Sequence, residues 1–392
     1  MIKQVTDKIR GAYKLVFNNT LLYFATTGKR KHNPRSVLII KSEQIGDYIL
    51  FRNCLPWYRT IPEYNNHSFT LCGNSAFKSL ALQFDNQHVD GFVWFDRSKF
   101  LTSMRYKYRI MRTIYKEGFE VVINTNYSRH PQLDDLLSFA TGAAQKIAMQ
   151  ANYTHRKKWQ TWLYDKHYTR IIDLPVGNYF EFDRNTRFIE TLCQRTLSIA
   201  LSIERSQLPP SPVEEKGFVI IFPSSSEPVK IWDIENFIGI GKYCVETKKK
   251  KIILAGHGKT DEGLNNKLKA ALPAAIQADY TNRLSLTELC KLVSQADLVL
   301  TNDTAILHMG TTQQIPTVGL YTGTHFARFG PYDRKRFPHV ICIYPKQINQ
   351  SVYTQTAELA KQIEQASPYS INDINYNDVI AAIDELMPTP SH

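Results

Sequence analysis

The chain has 392 residues, of which 43% are hydrophobic and 21% are charged. That length exceeds a typical single domain, and the composition is globular rather than disordered. The six cysteines form no C-x-x-C pair, which predicts buried core residues in a reducing compartment, not a structural zinc centre or a disulfide framework. No run of about 18 apolar residues predicts a membrane span, and the N-terminus lacks the apolar core of a signal peptide. We therefore expect a cytoplasmic protein of two domains.

The net charge of +12 is concentrated near the N-terminus. Residues 1–35 contain eight Lys and Arg residues against one acidic residue. Apolar residues recur there at helical spacing from Ile2 to Phe17, which predicts a basic amphipathic helix. Such a helix can lie on an anionic membrane surface or dock on the first domain, and the sequence favours neither. No nucleic-acid-binding motif accompanies the charge, so nucleic acid is not an expected partner.

Strands and helices alternate after this segment. Residues 36–41 form a continuous apolar strand, and Gly46 and Asp47 follow in the turn that opens the next helix. Further strands are predicted at 68–72, 91–95 and 119–124, and helices at 74–83, 101–116, 132–140 and 183–199. This alternation predicts a parallel sheet covered by helices on both faces, with ligands bound at the carboxyl ends of its strands. The turn at Gly46 is not G-x-G-x-x-G, so the dinucleotide fingerprint of an oxidoreductase is missing.

Two basic stretches in this first half are candidates for binding an anionic acceptor. The predicted helix 101–116 carries Arg105 and Arg109, although a solvated helix face is the simpler interpretation. The segment 153–170 carries Arg156 and Lys157 and has no clear period. Long irregular segments are more often functional than structural.

Residues 206–217 include three prolines and predict a linker between domains. We therefore divide the chain into an N-terminal helix at 1–35, a first domain at 36–205, the linker, and a second domain at 218–392. In the second domain, strands are predicted at 218–222, 251–255, 297–300 and 316–320, and helices at 233–246, 262–271, 286–295 and 376–387. Ser285 and Glu288 have the spacing of a capping box at the start of helix 286–295.

The stretch from Asp297 to His308 reads as a buried strand, a polar turn and the first turn of a helix. Asn302 or Asp303 is suited to cap that helix. Thr304 and His308 are four residues apart and share one helix face. A helix N-terminus that carries a hydroxyl and an imidazole suits a phosphate, whereas the simpler interpretation is an ordinary capped helix.

Six motifs in this order match a known family. They are V-L-I-I-K-x4-G-D at 37–47, F-P-S-S-x4-K-x-W at 222–232, I-L-A-G at 253–256, L-S-L-T-E-L at 284–289, an aspartate and a histidine at 303 and 308, and Y-T-G-T-x5-G-P at 321–331. Through these motifs the chain resembles glycosyltransferase family 9, the bacterial heptosyltransferases that build the inner core of lipopolysaccharide. The resemblance spans about residues 36–388. It implies the α/β GT-B fold, with two doubly wound Rossmann-like domains that face each other across a cleft.

The resemblance also implies roles for individual residues. Asp47 matches the general base that takes the proton of an acceptor hydroxyl as it attacks the anomeric carbon, which inverts the configuration of the sugar. The alternative is that Asp47 only caps its helix. The donor-binding residues implied by the family are Ser225, Ser226 and Lys230 for the phosphates, Glu262 or Asp261 for the ribose, Leu284 for the base, and Asp303, Thr304, Ala305 and His308 for the diphosphate and sugar.

The implied substrates follow from the same resemblance. The donor is by default ADP-heptose, and the acceptor is an anionic, lipid-linked saccharide of the lipopolysaccharide-core type. Neither a metal nor a cofactor is expected, because the chain contains no D-x-D motif and no histidines at zinc-ligand spacing. The enzyme would then work in the cytoplasm, either free or as a peripheral protein on the inner-membrane surface.

Two departures from the family pattern concern the donor. Ala305 occupies a position where the family usually has glycine, and its methyl group narrows the approach of a phosphate or sugar. The loop at 321–324 reads Tyr-Thr-Gly-Thr, where Gly-Pro-Thr is usual after the first residue. Two alternatives to a transferase therefore remain open. The chain can be a non-catalytic family member that binds nucleotide or glycan, or an epimerase of nucleotide sugars with a GT-B-like fold.

Overall fold

A computed structural model describes residues 16–155, 158–174, 177, 179–211, 213, 216–363 and 366–388. Its strands form two parallel sheets of six strands each. The strands of the first sheet are β1 (Asn33–Lys41), β2 (Ser68–Asn74), β3 (Gly91–Phe95), β4 (Phe119–Asn124), β5 (Gln145–Met149) and β6 (Arg170–Ile172). Those of the second are β7 (Phe218–Phe222), β8 (Lys251–Leu254), β9 (Ile276–Asp279), β10 (Leu298–Asn302), β11 (Thr317–Leu320) and β12 (Val340–Ile343).

Helices connect the strands throughout the described part of the chain. They are α1 (16–25), α2 (Ile45–Ile49), α3 (Leu55–Tyr58), α4 (Lys78–Phe84), α5 (Arg97–Thr102), α6 (Met104–Glu117), α7 (Leu136–Ala140), α8 (Lys158–Asp165), α9 (Glu181–Cys193), α10 (Ile234–Glu246), α11 (Lys259–Ala271), α12 (Leu286–Val293), α13 (Ala305–Thr312), α14 (Thr356–Gln362) and α15 (Tyr376–Leu386). A π-helical turn at Pro131–Asp135 precedes α7. The predicted capping box is confirmed, because the Ser285 hydroxyl and the Glu288 carboxylate each accept a hydrogen bond from the other residue's amide.

The two sheets share one topology. The first has the order β3-β2-β1-β4-β5-β6, and the second has β12-β11-β10-β7-β8-β9. In each sheet the strand order proceeds outwards in both directions from a central pair. The central pair is β1 and β4 in the first sheet and β7 and β10 in the second. This is the doubly wound order, in which the strand ends of the central pair form the usual ligand position. The predicted α/β class is therefore confirmed.

The chain forms two compact units, each of which holds one sheet. The first comprises the residues up to Gln44, Cys54–Val176 and Asn185–Ser198, and the second comprises Ile45–Asn53, Gly177–Arg184 and the residues from Ile199 on. The first core contains Leu38, Ile40 and Met111 among its fully buried residues. The second unit has a core around Trp232 on one side of its sheet and an aromatic cluster around Tyr321 and Tyr344.

Three segments that the sequence assigns to the first domain belong to the second unit, namely Ile45–Asn53, Gly177–Arg184 and residues 199–205. The segment Ile45–Asn53 contributes Leu50 to the aromatic cluster, where Leu50 is fully buried beside Phe182 and Leu307. A side chain near its end also ties it to the same unit, since Arg52 Nη1 donates a hydrogen bond of 2.8 Å to the Ser202 carbonyl. Asp47 therefore lies in the unit that also carries the candidate donor-binding residues.

Most of the predicted N-terminal helix lies outside the described residues, which begin at Val16. The described part, α1, docks on the first unit. Ala25 is fully buried in the core, and Lys107 Nζ on α6 donates a hydrogen bond of 3.0 Å to Asn18 Oδ1. The six cysteines are buried and unlinked, as expected. Among the described helices, none has the length and apolar character needed to cross a membrane.

Candidate functional site

Asn302 joins two segments at the central strand ends of the second sheet. It is the last residue of β10 and is fully buried. Its Nδ2 donates a hydrogen bond of 2.7 Å to the Pro223 carbonyl, and its Oδ1 accepts one of 3.3 Å from the Trp232 amide. One side chain therefore fixes both ends of the loop after β7, which carries the candidate phosphate ligands. The sequence reasoning treated Asn302 only as a possible helix cap, and this interpretation is wrong because its amide is occupied by the loop.

Lys230 and Asp303 form an ion pair beside this loop. Lys230 Nζ lies 3.7 Å from Asp303 Oδ2 and 3.0 Å from Glu227 Oε1, and the side chains of Lys230 and Asp303 are 12% and 11% exposed. Burial disfavours the charged lysine, but Asp303 and Glu227 outweigh it and raise the pKa of Lys230. Burial also raises the pKa of Asp303, which Lys230 offsets only in part. The two ion pairs thus hold the Lys230 ammonium group at the strand ends, where it would offset the negative charge of a diphosphate.

The helix after β10 begins with Thr304 as its N-cap, not with Asn302 or Asp303. Thr304 forms no side-chain cap hydrogen bond within the described chain, and its hydroxyl lies 3.0 Å from the Thr301 hydroxyl instead. The first-turn amides of α13, beginning with that of Ala305, therefore point outward without a capping side chain. Such an end of an eight-residue helix, next to Lys230, has the polarity to bind an anion.

The loop after β7 exposes its serines to different degrees. Ser226 is exposed, and Ser225 is half-buried with an Oγ that has no hydrogen-bond partner among the described residues. A buried hydroxyl without a partner costs free energy, so a ligand oxygen at this position would relieve that cost. Ser225 and Ser226 thus remain candidates for the donor phosphates.

His308 is buried one turn into α13. Its Nδ1 lies 2.6 Å from the Tyr332 hydroxyl, and burial lowers the pKa of His308 to about 4. The imidazole is therefore neutral near pH 7 and cannot offset phosphate charge. The other edge of the ring faces the backbone of Gly46, where an added Cβ would lie only 2.8 Å from His308 Cδ2. The predicted contact of His308 with a phosphate or sugar stays a prediction.

Asp47 is held close to α13 because the neighbouring Gly46 packs against His308. It follows Gly46 in α2, and its side chain is 14% exposed. Its Oδ1 lies 3.6 Å from Arg328 Nη2, and Arg328 is 5% exposed in the loop between Tyr321 and Pro331. The carboxylate of Asp47 therefore has a guanidinium of the same unit as a charged neighbour.

The two acidic candidates for the ribose have different surroundings. Asp261 Oδ2 accepts a hydrogen bond of 2.7 Å from the His257 amide in the turn after β8, and its contact with the ribose stays a prediction. Glu262 lies beside it in the first turn of α11 and is exposed. Leu284 is half-buried immediately before α12. The ribose and base contacts of Glu262 and Leu284 stay predictions.

The four basic residues named for the acceptor have different positions. Arg105 and Arg109 are exposed on α6, and the Arg109 guanidinium lies 5.0 Å from the centre of the Tyr106 ring. Arg156 and Lys157 lie outside the described residues. Nothing in the described contacts groups Arg105 and Arg109 with the strand ends of the first sheet.

Those strand ends instead carry a buried polar cluster that the sequence analysis missed. Asn126 Oδ1 accepts a hydrogen bond of 3.2 Å from the Ser42 amide, and Asn126 Nδ2 donates one of 3.0 Å to Asn124 Oδ1. Asp134, in the π-helical turn, accepts hydrogen bonds from the Ser42 hydroxyl and the His130 amide. The only signal in the sequence was the polar residues directly after apolar strands.

Two ionisable groups of this cluster are shifted towards neutrality. Burial raises the pKa of Asp134 to about 6. Burial, with help from His155 and Arg97, lowers the pKa of His130 to about 4. His130 Nδ1 accepts a hydrogen bond from the Gln132 amide, so the proton of the neutral ring is on Nε2. A neutral donor beside a carboxyl group suits a saccharide hydroxyl better than a free phosphate.

Comparisons with known proteins identify the family of the chain. The profile of glycosyltransferase family 9 (heptosyltransferase) matches residues 108–358. The lipopolysaccharide core heptosyltransferase OpsX of Haemophilus influenzae is 24% identical over 168 residues, which cover 43% of this chain and 48% of OpsX. The chain thus spans about half the length of this curated relative.

Solved structures of the family share the fold. A glycosyl transferase family 9 protein from Veillonella parvula superposes with a TM-score of 0.66 at 18% identity, covering 92% of this chain and 99% of that one. The E. coli heptosyltransferase WaaC, solved with ADP-2-deoxy-2-fluoro heptose, gives a TM-score of 0.61 at 14% identity, covering 83% and 98%. The predicted GT-B fold is therefore confirmed. Because the family profile covers more than half of the sequence, the chain belongs to glycosyltransferase family 9, the heptosyltransferase family.

Proposed function

We propose that the protein is an inverting, metal-independent glycosyltransferase that moves heptose from ADP-heptose to a lipid-linked acceptor of the lipopolysaccharide-core type. Asp47 takes the proton of the acceptor hydroxyl while the oxygen of that hydroxyl attacks the anomeric carbon. The bond from that carbon to the diphosphate breaks, and ADP leaves with both electrons of the bond. Lys230 and the N-terminus of α13 stabilise the negative charge that develops on the leaving group.

One observation carries this proposal. The turn with the candidate base packs directly on the candidate donor helix, since an added Cβ at Gly46 would lie 2.8 Å from His308 and 3.9 Å from the Ala305 Cα. Asp47 and the phosphate-binding elements therefore belong to one compact unit. A base and a leaving-group site that are fixed relative to each other supply the proximity that direct displacement needs.

The test of this proposal is the replacement Asp47→Asn, which keeps the size of the side chain but removes its basicity. With ADP-heptose and a heptose-deficient lipopolysaccharide core as substrates, we expect the turnover rate to fall at least about 100-fold. The thermal shift produced by ADP should stay the same, because Asp47 is not among the proposed donor ligands. Unchanged turnover by the variant would show that Asp47 is not the base.

Two further measurements separate the alternatives. A thermal-shift comparison of ADP, UDP, GDP and CDP should show the largest stabilisation with ADP, and preference for another nucleotide would contradict the heptose donor. Incubation with donor alone separates a transferase from an epimerase. A transferase needs the acceptor for product formation, whereas an epimerase converts the donor without it.

We infer that the first unit binds the acceptor. The polar cluster of Ser42, Asn126 and Asp134 lies at the central strand ends of its sheet, which is the usual ligand position of this topology. The buried side chains present hydroxyl, amide and carboxyl groups, and these are the groups that recognise saccharide hydroxyls. The four basic residues named for the acceptor remain candidates beside this cluster, and their part in acceptor binding stays a prediction.

We also propose that the protein works on the cytoplasmic face of the inner membrane, held by its N-terminal region. The outward face of α1 exposes Val16, Tyr23 and Phe24 by 66%, 66% and 58%. Residues 1–35 add eight basic residues to one acidic residue, which matches an anionic lipid surface. Aromatic side chains beside basic ones are typical of proteins that sit in the headgroup region.

Vesicle binding tests this second proposal. The double replacement of Tyr23 and Phe24 by Ser, and the deletion of residues 1–30, should each reduce sedimentation with vesicles that contain phosphatidylglycerol. Tyr353→Ser is the matched control, because Tyr353 is 42% exposed in the second unit. Binding should weaken as salt is raised. Equal binding of the variants and the wild type would remove the membrane from the proposal, and α1 would then be a structural element only.

A further inference from the structure

Arg328 connects the candidate base to a buried carboxylate. Its Nε donates a hydrogen bond of 2.8 Å to Glu181 Oε2, while its Nη2 lies 3.6 Å from Asp47 Oδ1. The side chain of Glu181 is fully buried, that of Arg328 is 5% exposed, and that of Asp47 is 14% exposed. The guanidinium therefore joins a carboxylate inside the protein to one that solvent reaches.

The position of Arg328 is fixed by its own backbone. The Glu181 amide donates a hydrogen bond of 2.9 Å to the Arg328 carbonyl, so the two residues are paired through backbone as well as side chain. His325 and Ala327 have left-handed φ angles of 55° and 67°, which tightens the loop just before Arg328. Non-glycine residues adopt this region at a cost, and such strain occurs mainly where the surrounding structure demands one conformation.

Glu181 is held from its other side as well. It is the first residue of α9, and Arg184 follows one turn later with its Nε 3.7 Å from Glu181 Oε2. Arg184 is fully buried, and its guanidinium lies 3.9 Å from the centre of the Tyr179 ring. The Glu181 carboxylate thus lies between two guanidinium groups, and the hydrogen bond that it accepts from Nε orients Arg328.

The geometry at Asp47 allows Arg328 to orient it. Arg328 Nη2 lies 3.6 Å from Asp47 Oδ1, so the guanidinium attracts this carboxylate. Because Arg328 is itself held by its hydrogen bond to Glu181, the attraction restricts the orientation of the Asp47 side chain.

We propose that Arg328 is the residue that positions Asp47 for proton transfer, and that Glu181 sets the position of Arg328. This inference rests on the proposed role of Asp47 as general base. Arg328 belongs to the loop from Tyr321 to Pro331, which carries one of the family motifs on the donor side. The orientation of the base is therefore fixed by the same loop that borders the donor site.

The test begins with Arg328→Ala and Arg328→Lys, assayed with ADP-heptose and the heptose-deficient core. We expect Arg328→Ala to lower kcat about 100-fold with little change in the KM for ADP-heptose, because the orientation of the base changes and donor binding does not. Arg328→Lys should retain part of the activity, since it keeps the charge. Added guanidinium ion should restore part of the activity of Arg328→Ala, which a purely structural role would not allow.

A matched control is available in the same unit. Arg336 pairs with Asp183 over 2.7 Å, lies 4.9 Å from the Phe182 ring and is 38% exposed, but its described contacts do not include Asp47. Arg336→Ala should leave kcat within about twofold of wild type, since an exposed ion pair is worth little. A large loss in Arg336→Ala, with no guanidinium rescue of Arg328→Ala, would overturn the inference in favour of a stability effect.

The double variant separates this inference from the proposed function. In an Asp47→Asn background, Arg328→Ala should cause no further loss, because both residues act through one carboxylate. If Asp47→Asn itself keeps full turnover, the proposed base is wrong. If Asp47→Asn is inactive and Arg328→Ala keeps wild-type kcat, only the positioning role is wrong.

Discussion

The two sheets have the same strand order and opposite chemistry at their central strand ends. In the second sheet, the ends of β7 and β10 carry a held cation, Lys230, next to the uncapped start of α13. In the first sheet, the ends of β1 and β4 carry buried amides and hydroxyls, with His130 neutral and the pKa of Asp134 raised to about 6. The topology sets where a ligand binds, and the residues after the strands set which ligand. An anion suits the second site, whereas the amides and hydroxyls of the first suit a ligand that carries hydroxyl groups.

The largest expected effect is on the cationic side of this comparison. Lys230→Gln removes the charge but keeps a polar side chain, and we expect kcat to fall about 100-fold because the leaving diphosphate loses its stabilising cation. The ADP-induced thermal shift should also decrease. Lys250→Gln is the control. Lys250 Nζ donates a hydrogen bond of 2.6 Å to Asp297 Oδ2, and this pair does not lie at these strand ends. Equal effects of the two variants would mean that Lys230 acts only through the net charge of the protein.

The second expected effect concerns the acid sensitivity of the donor unit. Burial lowers the pKa of His308 from 6.5 to about 4, so the unfolded chain binds this proton more readily than the folded one. The stabilisation that the neutral ring supplies is present above pH 6.5 and is lost as the pH falls through 4. The loss amounts to about 3 kcal/mol at most.

Denaturant unfolding between pH 7 and pH 4 measures this effect. His308→Gln should flatten the decrease in unfolding free energy over that interval, even if the variant is less stable at every pH. The exposed His257, replaced by Gln, serves as the control. A pH dependence that is identical in wild type and His308→Gln would show that other groups cause the acid sensitivity.

The third expected effect tests the first sheet. Asn126→Ala removes an amide that holds both the Ser42 amide and the Asn124 side chain, and we expect a loss of about 1–3 kcal/mol in unfolding free energy. If the cluster binds the acceptor, KM for the acceptor should rise while the thermal shift with ADP stays constant. If the KM for ADP-heptose rose instead, the first sheet would bind the donor and the assignment of the acceptor to it would be wrong.

The smallest expected effect is that of Ala305→Gly. Removing one methyl group lets a phosphate oxygen approach the first-turn amides of α13 more closely. We expect ADP to bind up to about fivefold more tightly, because a better-formed hydrogen bond contributes about 1 kcal/mol. Calorimetric titration with ADP measures the change, and Ala305→Ser keeps the side-chain bulk as a control. Weaker binding by the glycine variant would show that the methyl group contacts the donor favourably.

The sequence predicted the parts of this molecule that depend on local pattern. The alternation of apolar strands with helices, the capping box at Ser285 and the family motifs all rest on short spacings, and the structure and the comparisons confirm the fold and the family. Boundaries were less accurate. The helix that the turn at Gly46 was expected to open is two short helices, α2 and α3. The strands β5, β6, β9 and β12 were not predicted because they are short or lack a regular pattern.

The contacts that the sequence could not predict are those between distant residues. Arg328 and Glu181 are 147 residues apart, and neither lies in a pattern that points to the other. Asn126 and Ser42 are 84 residues apart and meet only because β1 and β4 are neighbours in the sheet. The assignment of Ile45–Asn53 to the second unit has the same origin, since linear domain boundaries cannot represent a segment that packs with residues from the other half of the chain.

The bridging amide of Asn302 has a consequence for how this protein can change its substrate. Because one side chain holds the Pro223 carbonyl and the Trp232 amide at the end of β10, two hydrogen bonds tie the loop after β7 to the strand that leads into α13. If this loop binds the donor as proposed, shifting it to fit a new donor would cost both hydrogen bonds. A library for altered donor use should therefore keep Asn302 and randomise Ser225, Ser226 and Ala305.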